Sequence, residues 1–95
     1  MSYRIEFERR ALQQIKKLPP QICRKVMEKI RTLQENPCRY PLLSTAFSKL
    51  RKVVVGASGG EYRIVYALDS KLKLISIVFV GSRENFYKEL RRYLD

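Results

Sequence analysis

The first half of the chain changes its hydrophobic period twice. Residues 3–7 alternate apolar and polar side chains, which is typical of a strand. Apolar residues then recur at helical spacing through residues 8–18 and 21–35, and Pro19-Pro20 separates the two stretches. The expected buried stripes are Ala11, Leu12, Ile15 and Leu18 in the first helix and Ile22, Cys23, Val26, Met27, Ile30 and Leu33 in the second. Because Asn36-Pro37 ends the second stretch, the pattern predicts a strand and then a helical hairpin.

The second half of the chain is dominated by strand-like runs with short connections. The pattern predicts an irregular stretch over residues 37–49, strands over 50–55, 61–68 and 72–80, a loop over 56–60, a turn over 69–71 and a helix over 83–94. The last of these strands is almost wholly apolar, which indicates a strand covered on both faces. The order β-α-α-β-β-β-α predicts an α+β fold in one domain over residues 1–95. We expect an antiparallel sheet packed by the N-terminal helical hairpin and a C-terminal helix.

The register between the strands predicted over residues 50–55 and 61–68 decides which cations share a face of the sheet. If Val55 lies opposite Glu61, then Arg51 and Arg63 are diagonal neighbours on the face away from the helices. A slip of one residue brings Lys52 beside Arg63 instead. Both registers predict a cationic patch on that face, and the first directs Tyr62, Ile64, Tyr66 and Leu68 towards the helices.

Composition points to a polyanionic partner. The chain of 95 residues has 20 Lys and Arg against 9 Asp and Glu, a net charge of +11 that is spread along the whole sequence. Such a field attracts nucleic acid or an acidic protein. The absence of histidine and the presence of only two cysteines exclude the usual zinc sites. No signal-peptide core and no long apolar run are present, so we expect a cytoplasmic protein without a membrane segment.

The topology is expected to bring further cations to Arg63. The last strand runs antiparallel to the strand of Arg63, so its end, and Arg83 beyond it, should return to the same edge. Tyr87 follows Arg83 by one helical turn. Each residue alone is equally compatible with an ordinary surface charge or, for Tyr87, with the rim of the core. Their convergence favours a functional site.

Several ordered segments resemble RelE/ParE toxins, and in particular their RelE-like branch. They are YRIEF at residues 3–7, Ala11-Leu12, Asn36-Pro37 at the end of the second helix, LRKVVVG at residues 50–56, YRIVY at residues 62–66, and VFVGSR at residues 78–83 followed by Tyr87. Nearly the whole chain is covered. The sequence departs from the family pattern in the longer loop at residues 56–60 and in Ser82, where His or Lys is common.

The resemblance implies a toxin of a type II toxin–antitoxin system, which cuts mRNA in the ribosomal A site and is neutralised by a cognate, acidic antitoxin. It implies a metal-independent endoribonuclease without cofactor, whose partners are a 70S-type ribosome and mRNA. The catalytic residues would be Lys52, Arg63, Arg83 and Tyr87, and the RNA-binding residues Lys49, Arg51 and Lys88. In such a site the arginines would hold the phosphate, Lys52 would accept a proton, and Tyr87 would stack on a base or relay a proton.

The sequence is also compatible with two other functions. A ParE-like relative would inhibit DNA gyrase, although such toxins generally lack the arginine–tyrosine set. A basic module without catalytic activity would bind RNA or the ribosome and leave messages intact.

Overall fold

Six regular elements follow one another in the computed structural model, which describes residues 3–43, 49–57, 60–82, 88, 91 and 92. They are β1 (Arg4–Phe7), α1 (Arg9–Lys16), α2 (Pro20–Leu33), β2 (Leu50–Ala57), β3 (Gly60–Asp69) and β4 (Leu74–Ser82). This order confirms the α+β fold and the first six elements of the predicted sequence. Most of the helix predicted over residues 83–94 lies outside the described residues, although Lys88, Arg91 and Arg92 have helical backbone.

Two prolines determine where the helical hairpin turns. Pro19 precedes α2 and Pro20 is its first residue, where the missing amide proton costs no intrahelical hydrogen bond. Each helix buries one stripe, formed by Ala11 and Ile15 in α1 and by Val26, Ile30 and Leu33 in α2. The assignment of Leu12 to this stripe was wrong, since 41% of the residue is exposed. One residue past Ala11, a helical side chain points about 100° away from it.

The sheet is mixed and has the strand order β1-β4-β3-β2. Strands β2, β3 and β4 form the expected antiparallel meander. However, β1 pairs in parallel with β4, so the expectation of a wholly antiparallel sheet needs correction. The helical hairpin provides the long crossover that a parallel pair requires, because it separates β1 from the three consecutive strands.

The second of the two registers considered is the observed one. Val55 pairs with Tyr62 rather than Glu61, Val54 pairs with Arg63, and Lys52 pairs with Val65. The ladder extends to Ala57 and Gly60, so the connection is shorter than the five-residue loop expected. Gly60 has φ = +151°, a conformation that glycine adopts without the strain that a side chain would cause.

Both faces of the sheet carry a hydrophobic core. The larger core lies between the sheet and the helices, and its sheet residues are Val53, Val55, Ile64, Tyr66, Ile75, Ile77 and Val80. The smaller core lies on the opposite face and contains Leu43, Leu50, Val65, Val78 and Phe79. A register shift between Val65 and Tyr66 makes Val78 an additional residue of β4. This bulge explains why Ile77 and Val80 share a face although they are three residues apart.

Candidate nucleic-acid interface

Lys52 and Arg63 lie on the sheet face opposite the helices. Arg63 pairs with Val54 and Lys52 pairs with Val65, so the two cations are diagonal neighbours on adjacent strands. Such neighbours have Cα atoms roughly 7–8 Å apart, a separation that two long side chains can bridge through one phosphate. Both residues are half-buried. The expected cationic patch is therefore present, with Lys52 rather than Arg51 beside Arg63.

Arg63 lies on β3 between Val54 of β2 on one side and a glycine of β4 on the other. Gly81 is the β4 partner of Arg63. A Cβ atom placed on Gly81 would lie 2.8 Å from Cζ of Phe79, closer than carbon atoms approach without displacement. The absence of a side chain at Gly81 therefore allows the buried Phe79 ring to lie along the strand next to Arg63. Nε of Arg63 is itself buried, so the stem of this side chain is held against the sheet.

The end of β4 leads towards the same region. Ser82, the last residue of β4, pairs with Tyr62, the residue immediately before Arg63. Arg83 is the next residue in the chain, as the argument from strand direction requires. Arg83 and Tyr87 themselves lie outside the described residues, so their proximity to Lys52 and Arg63 stays a prediction.

Arg51 occupies the helix-side face and has different partners. It pairs with the buried Tyr66. Its Nη1 donates a hydrogen bond of 2.7 Å to the carbonyl oxygen of Tyr40 and a longer one of 3.4 Å to that of Cys38. Arg51 therefore lies on the other face of the sheet from Lys52 and Arg63. The Arg51 guanidinium instead holds the backbone of residues 37–43 to the sheet.

The 37–43 segment forms a strap along the outer edge of β2, which sequence reasoning described only as irregular. The hydroxyl of Tyr66 donates a 2.6 Å hydrogen bond to the carbonyl oxygen of buried Pro37. Burial raises the pKa of Tyr66 to about 12 and outweighs the opposing effect of the nearby Arg51 charge. The signal that could have revealed this strap is a tyrosine on the core face, since a buried hydroxyl requires a hydrogen-bond partner.

Two of the other expected RNA contacts are exposed. Lys49 lies in the turn before β2, one residue from the smaller core, and Lys88 has helical backbone near the C-terminus. Lys49 precedes the strand of Lys52, so a polyanion lying along β2 would pass close to both. The relation of Lys88 to this face stays a prediction.

Among the described residues of β2 and the first half of β3, the polar side chains of this face are the cations Lys52 and Arg63 and the exposed carboxylate of Glu61. No group of three or more His, Cys, Asp or Glu side chains suited to a metal ion occurs among the described residues. Ammonium and guanidinium groups bind phosphate through charge-assisted hydrogen bonds, and arginine does so with a planar fork of donors. Lys52 and Arg63 can thus hold a phosphodiester on this face. In the described part of the chain, no helix is long and apolar enough to cross a membrane.

Comparisons with known proteins agree on one family. A model of the ParE-like toxins of type II bacterial toxin–antitoxin systems matches residues 5–91. A protein of Methanocaldococcus jannaschii provisionally named toxin RelE1 is 30% identical over 88 residues, which cover 93% of this chain and 98% of the relative.

Solved structures show the same fold. The toxin–antitoxin complex RelBE2 from Mycobacterium tuberculosis matches with a TM-score of 0.78 and 26% identity, over 87% of this chain and 100% of the other. The intact RelBE complex of E. coli matches with a TM-score of 0.75 and 25% identity, over 87% and 99% of the two chains. A mutant of E. coli toxin RelE with two arginines replaced by alanine, solved in the free state, has a TM-score of 0.79 at 23% identity over 97% and 98%. That last likeness concerns the fold alone.

Proposed function

Because this chain belongs to the ParE-like toxin family of type II toxin–antitoxin systems, we propose that it acts as a ribosome-dependent endoribonuclease that cuts mRNA in the A site. The observation that carries this proposal is the position of Lys52 and Arg63 as diagonal neighbours on one sheet face. The end of β4 delivers the chain to the same edge, one residue before Arg83. A ribosomal substrate would place this activity in the cytoplasm.

The proposed reaction uses the 2′-hydroxyl of the substrate as its nucleophile. The 2′-oxygen attacks the adjacent phosphorus and loses its proton to a base, while the bond from phosphorus to the 5′-oxygen breaks. The leaving 5′-oxygen takes up a proton, so the products are a 2′,3′-cyclic phosphate and a 5′-hydroxyl. The enzyme must therefore accept one proton, stabilise the negative charge at phosphorus and donate one proton.

Each task has a candidate residue. Arg63 would hold the phosphate oxygens with its forked donors, and Arg83 would add a second guanidinium. Lys52, the diagonal neighbour of Arg63, would take the proton from the 2′-hydroxyl through its uncharged amine and become an ammonium group beside the phosphate. Tyr87 would stack on a base or supply a proton to the leaving oxygen. A site without histidine depends strongly on substrate alignment, which is consistent with a requirement for the ribosome.

The neutralising partner would be an antitoxin protein. The similar M. tuberculosis and E. coli structures are RelBE toxin–antitoxin complexes. With a net charge of +11, this chain favours an antitoxin whose contacting surface is acidic. Such a partner would inhibit the reaction by covering the face of Lys52 and Arg63.

The first experiment is primer extension on mRNA from a translation reaction with purified ribosomes. Arg63→Ala should lower the cutting rate by about 30- to 1,000-fold, since it removes about 2–4 kcal/mol of transition-state stabilisation. Arg24→Ala is the matched control, because it removes the same charge from an exposed position on α2. Wild-type cutting by Arg63→Ala would contradict the assignment of this residue.

Gyrase inhibition is the second candidate function, because the matching family is described as ParE-like. It predicts that purified gyrase loses supercoiling activity in the presence of this protein, while messages on ribosomes stay intact. Cuts that depend on the ribosome, occur at the A-site codon and are lost in Arg63→Ala would favour RNA cleavage instead.

A further inference from the structure

Two neighbouring cavities lie at the C-terminal end of α1. The first has a volume of about 340 Å³ and the second a volume of about 260 Å³. Both are lined by Gln14 and Lys17, so together they form one cleft with two compartments. The size of the cleft falls within the range of about 300–1,000 Å³ that is typical of small-molecule sites. Neither Lys52 nor Arg63 lines the cleft, which therefore differs from the face described above.

The first compartment is lined by cations and side-chain amides. Arg10 and Lys17 are seven residues apart, close to two turns of helix, and therefore lie on one side of α1. Arg92, which has helical backbone near the C-terminus, supplies a third cation from a distant part of the sequence. In the described part of the chain, no acidic residue lines either compartment. A cleft lined by charges of one sign concentrates counter-ions, so this compartment attracts anions.

The second compartment has an aliphatic and an aromatic side chain in its lining. The last turn of α1 closes with hydrogen bonds of the i→i−3 type, donated by the amides of Lys17 and Leu18. Both of these residues line the compartment, and the half-buried Tyr62 lines it from β3. The end of β4, residues 80–82, completes the lining. Such a combination of apolar surface, an aromatic ring and neighbouring polar groups suits a planar nucleobase.

Gln14 connects the two compartments. Its Oε1 accepts a 2.8 Å hydrogen bond from the amide of Val80, which attaches this half-buried side chain to β4. A ligand that spans both compartments therefore contacts a residue whose side-chain oxygen is held in place by the sheet. The cleft thus has a cationic end, an apolar end and an anchored amide between them.

We propose that this cleft binds a nucleoside polyphosphate. The phosphates lie beside Arg10, Lys17 and Arg92, whose guanidinium and ammonium groups bind them through charge-assisted hydrogen bonds. Because Arg10 and Lys17 are about 10 Å apart along the helix axis, two or more linked phosphates suit them better than one. The base lies against Leu18 and Tyr62. The inference rests on this cleft and does not depend on RNA cleavage.

Isothermal titration calorimetry tests the proposal with adenosine triphosphate, inorganic tripolyphosphate and adenosine as probes. Adenosine triphosphate should bind about tenfold more tightly than tripolyphosphate, because stacking of the base on an aromatic side chain adds to the phosphate contacts. Adenosine alone should bind more weakly than adenosine triphosphate, since it lacks the anionic groups. Equal affinities for adenosine triphosphate and tripolyphosphate would overturn the assignment of a nucleotide.

A pair of double variants tests the cationic compartment. Arg10→Gln combined with Lys17→Gln should weaken binding of adenosine triphosphate by about tenfold or more, since two charge-assisted contacts are lost. Arg9→Gln combined with Lys16→Gln is the matched control. It makes the same charge change at the same spacing, but neither residue lines the cleft, so affinity should stay within about threefold of wild type. Equal losses in the two double variants would overturn the proposal in favour of unspecific attraction to a basic surface.

The apolar compartment has its own test. Tyr62→Ala should weaken binding of adenosine triphosphate about fivefold or more and leave that of tripolyphosphate within about twofold, whereas Tyr62→Phe keeps the ring and should retain both affinities. Full affinity of Tyr62→Ala for adenosine triphosphate would contradict the placement of the base.

Nuclear magnetic resonance of the wild-type protein locates the ligand without any substitution. Adenosine triphosphate should shift the amide resonance of Val80, which is bonded to Gln14, and leave that of Val54 on the distant strand β2 unchanged. An unshifted Val80 resonance at saturating ligand would overturn the proposed site. An RNA octamer that binds more tightly than adenosine triphosphate, and loses affinity in Arg10→Gln with Lys17→Gln, would also overturn the proposal and assign the cleft to nucleic acid.

Discussion

The hydrogen bond from Tyr66 to Pro37 permits a quantitative prediction for the 37–43 segment. Tyr66→Phe removes one hydroxyl and leaves the ring in the core, so the main loss is the 2.6 Å hydrogen bond. Both residues are buried, so the carbonyl oxygen of Pro37 would lose this hydrogen bond without gaining another. Leaving a buried acceptor unsatisfied costs about 1–3 kcal/mol. We therefore expect the free energy of unfolding to fall by that amount.

Urea unfolding followed by circular dichroism measures this change. Tyr66→Phe should lower the urea midpoint at unchanged m-value, and the melting temperature should fall by roughly 4–8 °C per kcal/mol. Tyr62→Phe on the same strand is the control, since Tyr62 is only half-buried, and should change stability by less than about 0.5 kcal/mol. Equal midpoints for wild type and Tyr66→Phe would refute the view that this bond fixes the segment.

The pH dependence of the same variant has a defined sign. The folded state raises the pKa of Tyr66 from 10.0 to about 12, because burial disfavours the phenolate. The contribution of the Tyr66 hydroxyl to the free energy of unfolding is therefore fully present below pH 10 and is lost as the pH rises from 10 to 12. Phenylalanine does not ionise, so the stability difference between wild type and Tyr66→Phe should shrink over this window. A difference that stays constant up to pH 12 would contradict the assigned cause of the shift.

Three further substitutions test other parts of the sheet. Gly81→Ala should cost about 1–3 kcal/mol, since the new methyl group must displace the buried Phe79 ring; an unchanged unfolding midpoint would disprove this contact. Arg51→Met keeps the aliphatic stem and removes the donors to two carbonyl oxygens, so urea unfolding should show a loss of about 1–2 kcal/mol. Gln14→Leu removes the oxygen that accepts the 2.8 Å hydrogen bond from the amide of Val80. Hydrogen exchange of that amide proton with solvent should therefore become faster. An exchange rate equal to that of wild type would argue against the bond.

Hydrophobic periodicity was sufficient to predict the six described elements, because in this chain it follows burial closely. The helical stripe of α2 faces the larger core, and the three strands of the meander carry apolar residues that face one or both cores. The general position of the cationic face was predictable for the same reason. Once Ile64 and Tyr66 face the helices, Arg63, which directly precedes Ile64 in the strand, must face away.

The register of β2 was not predictable from the sequence. Residues 53–55 are three consecutive valines, so the apolar pattern fits either face and permits a slip of one residue. In the structure Val53 and Val55 are buried and Val54 is exposed, which brings Lys52 beside Arg63. The bulge at Val78 was not predictable either, because the continuous apolar run of β4 does not show which residues share a face.

The role of Arg51 shows a second limit of sequence reasoning. A strand arginine in a basic chain suggests contact with phosphate, yet its observed acceptors are main-chain carbonyl oxygens of the 37–43 segment. Residue type alone does not distinguish these acceptors, since a guanidinium donates hydrogen bonds to both. Only the pairing of Arg51 with Tyr66 places it on the helix side.

The parallel pairing of β1 with β4 also determines when the sheet can form during synthesis of the chain. Arg4 pairs with Leu74 and Phe7 with Ile77, so in the described part of the chain β1 pairs with a strand that is synthesised seventy residues later. Closing such a long loop is entropically costly and slows folding. A nascent chain that stops before residue 74 lacks both the partner of β1 and the strand that carries Gly81. The sheet can therefore include β1 only after β4 has been synthesised.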